Sequence, residues 1–225
     1  MKRKLLSCSL TVALAGAAPA AADTGGTAAP ALSLPLTAPR TAVVGRPLPI
    51  AGQTGLGTGE PIALETRRLP RGRWLAVASA AVQPGGWFRA AVRFARAGRY
   101  QLRARPQRLA TAAGELVART TVAVYFPARA SYYGPGLYGH RTACGQLLTP
   151  RLRGVASPTL PCGTLVSFRH GNRQVTVPVV DRGPFVPGVS FDLTAATARQ
   201  LGVKETAALL ALPLGRPLPR QTAVG

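Results

Sequence analysis

The sequence predicts an all-β protein, a sandwich followed by a barrel with one short helix, and three observations carry that reading. The first is alternation with a period of two. In WFRAAVRF, Phe88, Ala90, Val92 and Phe94 share one face while Trp87, Arg89, Ala91 and Arg93 share the other; in YQLRAR, Tyr100, Leu102 and Ala104 oppose Gln101, Arg103 and Arg105. Such alternation puts one face on a core and the other in water. The second is rhythm: strand-like runs between residues 40 and 127 are cut by glycine or proline turns at roughly the 8–12-residue spacing of a sandwich. The third is the organisation of residues 130–203, which hold an aromatic-rich strand ending in Gly134, two cysteines in glycine turns, a hairpin across HGN, an Asp-Arg-Gly-Pro turn and a short capped helix.

Taken in order, the chain opens with Lys2-Arg3-Lys4, an apolar run to Ala18, and small residues ending at Ala20-Ala21-Ala22. This is the pattern of a secretory leader, residues 1–22, cleaved after Ala22. The run is shorter than the roughly 17–25 residues that cross a bilayer, so no stable membrane span is expected. Cys8 precedes the apolar run instead of following it, which argues against lipid attachment. Residues 23–39, rich in Ala, Thr, Gly and Pro, read as a linker. Residues 40–127 form the sandwich, with Trp74 and Trp87 expected in its core and Glu60, Glu65 and Glu115 expected as solvated surface acids. Residues 129–212 form the barrel. The remainder, 213–225, has proline, glycine and no period, and is expected to be a disordered tail.

The helix is placed by its ends: in FDLTAATARQLG, Thr194 is a suitable N-cap and Gly202 a suitable C′ residue. Acids are scarce after residue 129, with Asp181, Asp192 and Glu205 the full set. Glu205 follows the helix end and is expected in solvent. Asp181 closes the strand VTVPVVD where it breaks into a turn, so its side chain either braces that turn or serves a site. Asp192 precedes the helix and either complements its positive end or serves the same site. Arg182 need not neutralise Asp181, because adjacent strand residues point to opposite faces.

Removal of the leader leaves two cysteines, Cys144 and Cys162, each followed by glycine. Two thiols in an oxidising compartment pair, and a loop of this size is worth about 3 kcal/mol in the chain-entropy account. Zinc takes four ligands, and these cysteines with only His140 and His170 make no recognisable set, so no metal or cofactor is expected. The formal net charge is +21, and loss of Lys2, Arg3 and Lys4 lowers it to +18. A field of that sign attracts polyanions. Nucleic acid is not the expected partner of an exported chain without a nucleic-acid motif. Arg outnumbers Lys 25 to 3, so a GC-rich composition also accounts for part of the charge.

The pieces SYYGPGLYGHRTACG, TLPCGT, VVDRGPF and FDLTAATARQLG together resemble the rare lipoprotein A (RlpA-like) family of septal ring lytic transglycosylases, related to expansin-like barrels. The resemblance covers about a third of the chain. It implies a six-stranded double-psi β-barrel that acts on peptidoglycan glycan strands outside the cytoplasm, associated with the cell wall. For such an exported chain the positive charge makes anionic wall polymers further expected partners. GRPLPIAG, GRWLAVASA and AGRYQLRA resemble an immunoglobulin-like module, which makes the preceding sandwich a spacer or wall-binding unit.

Carried over residue by residue, the resemblance makes Asp181 and Asp192 catalytic, and it places Tyr132, Tyr133, Tyr138, Gln146, Ser157 and Arg182 as substrate-binding residues. Tyrosines in barrel strands also serve as core, and both roles stay open here. Two positions depart from the family pattern: Gln146 stands where glutamate is common, and Ser157 where histidine is common. Glycoside hydrolysis uses two carboxylates. Lytic transglycosylation can run on one, because the attacking hydroxyl is already tethered to the sugar. A lytic transglycosylase using a single aspartate and a non-catalytic, expansin-like wall-loosening module are therefore the two readings. The chain beginning near Asp23 should titrate no thiol in the absence of reductant; two reactive thiols would refute the bridge.

Overall fold

The computed structural model describes residues 35–108 and 118–215. The expected leader, the linker up to residue 34, Glu115 and residues 216–225 lie outside the described residues. The chain runs β1 (Leu36–Thr37), β2 (Thr41–Val43), β3 (Pro47–Gln53), β4 (Pro61–Arg68), β5 (Leu75–Ala81), β6 (Trp87–Arg93), β7 (Gly98–Pro106), β8 (Ala118–Tyr133), β9 (Val155–Ala156), β10 (Leu165–His170), β11 (Arg173–Asp181), β12 (Phe191–Thr194), α1 (Ala195–Leu201) and β13 (Ala207–Gly215). No helix among the described residues is long and apolar enough to cross a membrane.

The first half packs two sheets face to face. One has the order β1-β3-β6; the other runs β5-β4-β7 to the first part of β8, where β2 pairs in parallel. Leu48, Ile50, Phe88 and Val92 from the first sheet meet Ile62, Leu64, Leu102, Ala104, Val122 and Val124 from the second. The period-two faces account for this packing, since Phe88, Val92, Leu102 and Ala104 are all buried. Gly52 lies opposite Phe88 in the ladder, and a Cβ there would run into the phenyl ring.

Two tryptophan expectations are corrected. Trp87 is 49% exposed, because the alternation that buries Phe88 turns its neighbour outward. Trp74 is half-buried outside the core, beside the guanidinium groups of Arg67 and Arg103, 4.8 and 4.2 Å from its ring centroid. Glu65 is not a solvated acid either. It is buried and paired with Arg103 at 2.6 Å and Arg105 at 2.9 Å, its cross-strand neighbours on β7.

The second half is a closed ring of strands. β8 pairs with β13, β13 with β10, β10 with β11, β11 with β9, β9 with β12, and β12 returns in parallel to β8. Inside lie Val166, Phe168, Val175, Val177, Val179, Phe191 and Leu193, with Phe168 and Phe191 edge to face at 5.0 Å. The HGN hairpin forms as expected, with His170 paired to Arg173 and Gly171 at φ +55°. β8 continues unbroken across the expected boundary at 127–129, so no linker separates the two halves. At the chain ends, Leu36 and Thr37 of the expected linker pair with β3, and β13 runs to Gly215, past the expected start of the tail, because it pairs with Leu165 of β10.

Helix α1 starts and stops where its caps lie: the Thr194 side chain accepts from Thr197 N–H, and Gly202 takes φ +73° while its N–H bonds back to Ala198 and Arg199. Thr197 does more than continue the helix. Fully buried, its Oγ1 donates to the Gly154 carbonyl at 2.9 Å and accepts from Gly154 N–H at 3.0 Å, tying α1 to the segment that enters β9. Thr197→Val keeps the shape but removes one of two partners from each Gly154 group, leaving its N–H to the Thr194 hydroxyl and its carbonyl to the Thr194 N–H, so it should lower stability by about 1 kcal/mol. Urea unfolding should show a lower midpoint at unchanged slope, while Thr197→Ser stays close to wild type.

Candidate active site

The site forms where β11 runs out. Val175, Val177 and Val179 anchor the strand in the core, and Asp181 is its last residue. The next residues turn the chain away: Gly183 takes φ +105°, a conformation that favours glycine, and Pro184 follows. Asp181 Oδ1 accepts two backbone N–H groups at 2.8 Å, from Arg182 beside it and from Ala143 in the loop after β8. The carboxylate therefore does brace its turn, and it also pins a distant loop.

That loop is held from several directions. The Cys144–Cys162 disulfide joins it to the turn after β9, with Cα atoms 5.7 Å apart, and Cys144 N–H donates to the Val180 carbonyl at 3.3 Å. Thr142 Oγ1 accepts from Gln146 N–H at 3.1 Å. The Gln146 amide, turned with its nitrogen inward, donates to the carbonyls of Cys144 and Val180 at 3.2 Å. Arg182 clamps the other side: its guanidinium donates to the carbonyls of Ser157 at 3.2 Å and Leu160 at 2.9 Å, and lies 3.2 Å from the Cys162 sulfur.

Asp192 arrives from the neighbouring strand. Parallel pairing of β12 with β8 sets it opposite Ser131, whose hydroxyl donates to Asp192 Oδ1 at 3.0 Å. Two residues further along β8, on the same face, stands Tyr133. The two aspartates, Tyr133, His140, Arg141 and Arg182 share one cavity of about 280 Å³, with Leu137 and Leu148 as its apolar walls.

Electrostatics within this cavity are uneven. Burial, and then the charge of Asp181, push the Asp192 carboxyl above its ordinary value, against the opposing pull of the Ser131 hydrogen bond. Tyr133 is also pushed up, by burial first and then by Asp181 and Asp192. Its buried hydroxyl has no partner at full hydrogen-bond geometry, and of the two carboxylates that act on it Asp181 acts the more strongly.

The structure brings together Asp181, Asp192, Tyr133 and Arg182 of the residues named from sequence. It does not bring in the rest. Tyr132 alternates to the opposite face and is 42% exposed, Tyr138 lies against Gly134, and Gln146 and Ser157 do not line the cavity. Ser157 is 1% exposed, its hydroxyl accepting from Leu160 N–H at 3.2 Å inside the turn. His140 is the residue that sequence reasoning passed over, because it sits in the first loop. That loop is the cavity wall, and the signal was its place two residues before Thr142 in the same GHRTACG segment. Phe185, just past the turn, is 82% exposed with its ring folded over Gly183. Among the described residues, no group of three or more His, Cys, Asp or Glu side chains is placed to hold a metal ion.

The raised Asp192 has a consequence for stability. A carboxyl that binds its proton more tightly in the folded chain favours folding when protonated. Its contribution is full below the ordinary value of 3.8 and is lost as pH rises through the raised one. Asp192→Asn should thus gain stability over wild type only as the solution is taken from acid toward neutrality, as read by urea unfolding. In Asp181→Asn the Asp192 midpoint should move down, as read by carboxyl carbon NMR.

Residues 127–209 match the family model described as lytic transglycolase. The chain is 44% identical over 77 residues to the probable endolytic peptidoglycan transglycosylase RlpA of Synechocystis sp., which covers 33% of this chain and 24% of that relative. For endolytic peptidoglycan transglycosylase RlpA of Campylobacter jejuni the identity is 43% over 74 residues, with 32% and 27% covered. For probable endolytic peptidoglycan transglycosylase RlpA of Aquifex aeolicus it is 40% over 81 residues, with 35% and 36% covered. The chain spans 24% to 36% of the length of these curated relatives. The barrel that holds the cavity is thus the part of the chain that is similar to the lytic transglycolase model and to the RlpA transglycosylases.

Proposed function

We propose that the barrel, of the double-psi type, cleaves peptidoglycan glycan strands by lytic transglycosylation outside the cytoplasm. The observation that carries this reading is the meeting of Asp181 and Asp192 in one cavity, with the Asp192 carboxyl pushed up by burial and by its neighbour's charge. A raised carboxyl holds a proton that a leaving oxygen needs. In this scheme Asp192 protonates the glycosidic oxygen, and Asp181 takes the proton from the sugar's own hydroxyl as it closes the anhydro ring. The single-aspartate scheme drawn from sequence becomes a division of labour between two.

The remaining residues bind and orient. Tyr133 sets its phenol beside Asp181, and Arg141 and Arg182 give the cavity a positive rim, although their guanidinium groups are tied to carbonyls of Gly145, Ser157 and Leu160. Phe185 presents an open ring face on which a sugar can stack. The two-sheet unit ahead of the barrel serves as an immunoglobulin-like spacer or wall-binding module. A disulfide in the catalytic loop supports work in an oxidising, exported setting.

With purified peptidoglycan, the wild type should release anhydro-muramic products detectable by mass spectrometry. Asp181→Asn and Asp192→Asn should each cut the rate by about 10²–10⁴-fold while glycan binding persists. An aryl glycoside whose leaving group needs no proton should restore turnover to Asp192→Asn and not to Asp181→Asn. Phe185→Ala should raise KM at nearly constant kcat. A wild type that binds glycan and yields no anhydro product would leave the non-catalytic, wall-loosening reading in its place.

A further inference from the structure

The hairpin tip from His170 to Arg173 lies at the opposite end of β11 from Asp181, about 26 Å away at ~3.3 Å per residue. Two cavities of about 450 and 530 Å³ meet there and share His170 and Gly171. Arg46 and Arg169 line the first; Arg173, Arg199 and Lys204 line the second. Neither cavity is lined by an aspartate or a glutamate.

The cations are positioned without being neutralised. Arg169 lies over the Tyr125 ring at 6.0 Å. Arg199 donates to the Pro150 carbonyl at 2.6 Å, and Arg173 reaches the carbonyls of Arg199 and Gln200 at 3.5 Å. These neighbours are carbonyls and a ring, not carboxylates, so the charge remains available to a ligand. The Pro150 contact also fixes the direction of the Arg199 guanidinium fork, a geometry suited to phosphate oxygens.

We propose that this end of the barrel is a binding site for a linear phosphodiester polymer, a site separate from the carboxylate cavity and independent of its chemistry. Five cations spread over two adjoining cavities suit a ligand whose charges recur along a chain better than a single small anion. A membrane surface is disfavoured: none of the large exposed hydrophobic side chains of the described residues lies in either cavity, so nothing there would insert among lipids.

The test uses the full chain and fluorescently labelled poly(glycerol phosphate), followed by anisotropy near physiological salt. Arg46, Arg173 and Lys204 are exposed, and replacing all three with glutamine should weaken binding by about tenfold or more. A control that replaces the exposed Arg71, Arg73 and Arg89 with glutamine removes the same charge from the first half and should change affinity by less than about twofold. Asp181→Asn should bind as the wild type does. Equal losses in the two triple variants would reduce the site to diffuse charge and overturn the proposal, as would tighter binding to phosphatidylglycerol vesicles or to polyglutamate than to the phosphodiester. Hydrogen exchange on the wild type guards against a misfolded variant: polymer should protect residues 169–173 and 199–204, and protection only elsewhere would also overturn it.

Discussion

Four residues of parallel pairing between β12 and β8 close the barrel, and both the cavity and the helix depend on them. Phe191 and Leu193 point into the core, Asp192 is set beside Ser131 at the cavity, and Thr194 caps α1 while its hydroxyl accepts from Gly154 N–H. Parallel neighbours cannot be joined by a tight turn; here β9, β10 and β11 lie between them in the chain. The two aspartates meet across Ala156 of β9, which pairs with both, and closure onto β8 then brings Ser131 and Tyr133 to them.

Within the closed barrel, charge balance sets the character of the cavity. Glu65 is buried and Asp192 half-buried, and their surroundings differ in kind. Glu65 meets two arginines on the adjacent strand. Asp192 meets a serine hydroxyl and the charge of another carboxylate. Neither Arg141 nor Arg182, whose donors go to carbonyls, forms an ion pair with it. A carboxyl in that setting keeps its proton longer, which is the property acid catalysis draws upon.

Much of this was legible in the chain. Period-two patterning gave the buried faces of β6 and β7, the Thr194 and Gly202 caps gave the helix, and two cysteines gave the disulfide. The DRGPF and FDL segments gave both aspartates. What stayed hidden was direction. Alternation already assigned Trp87 to the outward face, but the general tendency of tryptophan toward cores outweighed it in the reading. Gln146 and Ser157 occupy positions named by resemblance, but the Gln146 amide turns to the carbonyls of Cys144 and Val180 and the buried Ser157 hydroxyl to Leu160 N–H within its own turn. His140 was set aside because one-dimensional separation from Asp181 conceals the fold of the 139–148 loop, which the disulfide and the Asp181–Ala143 bond draw over the strand end.

The continuity of β8 has a mechanical meaning. Its sixteen residues belong first to the two-sheet half and then to the barrel, so the joint between them is a hydrogen-bonded strand flanked by other strands, with no swivel. A tension applied to the first half passes along that backbone and loads its ladders in shear, where many bonds resist together, instead of peeling them one at a time. If the first half is tethered, the mouth of the carboxylate cavity keeps a set heading relative to the tether. The protein then behaves less like a bead on a string than like a blade fixed to its handle.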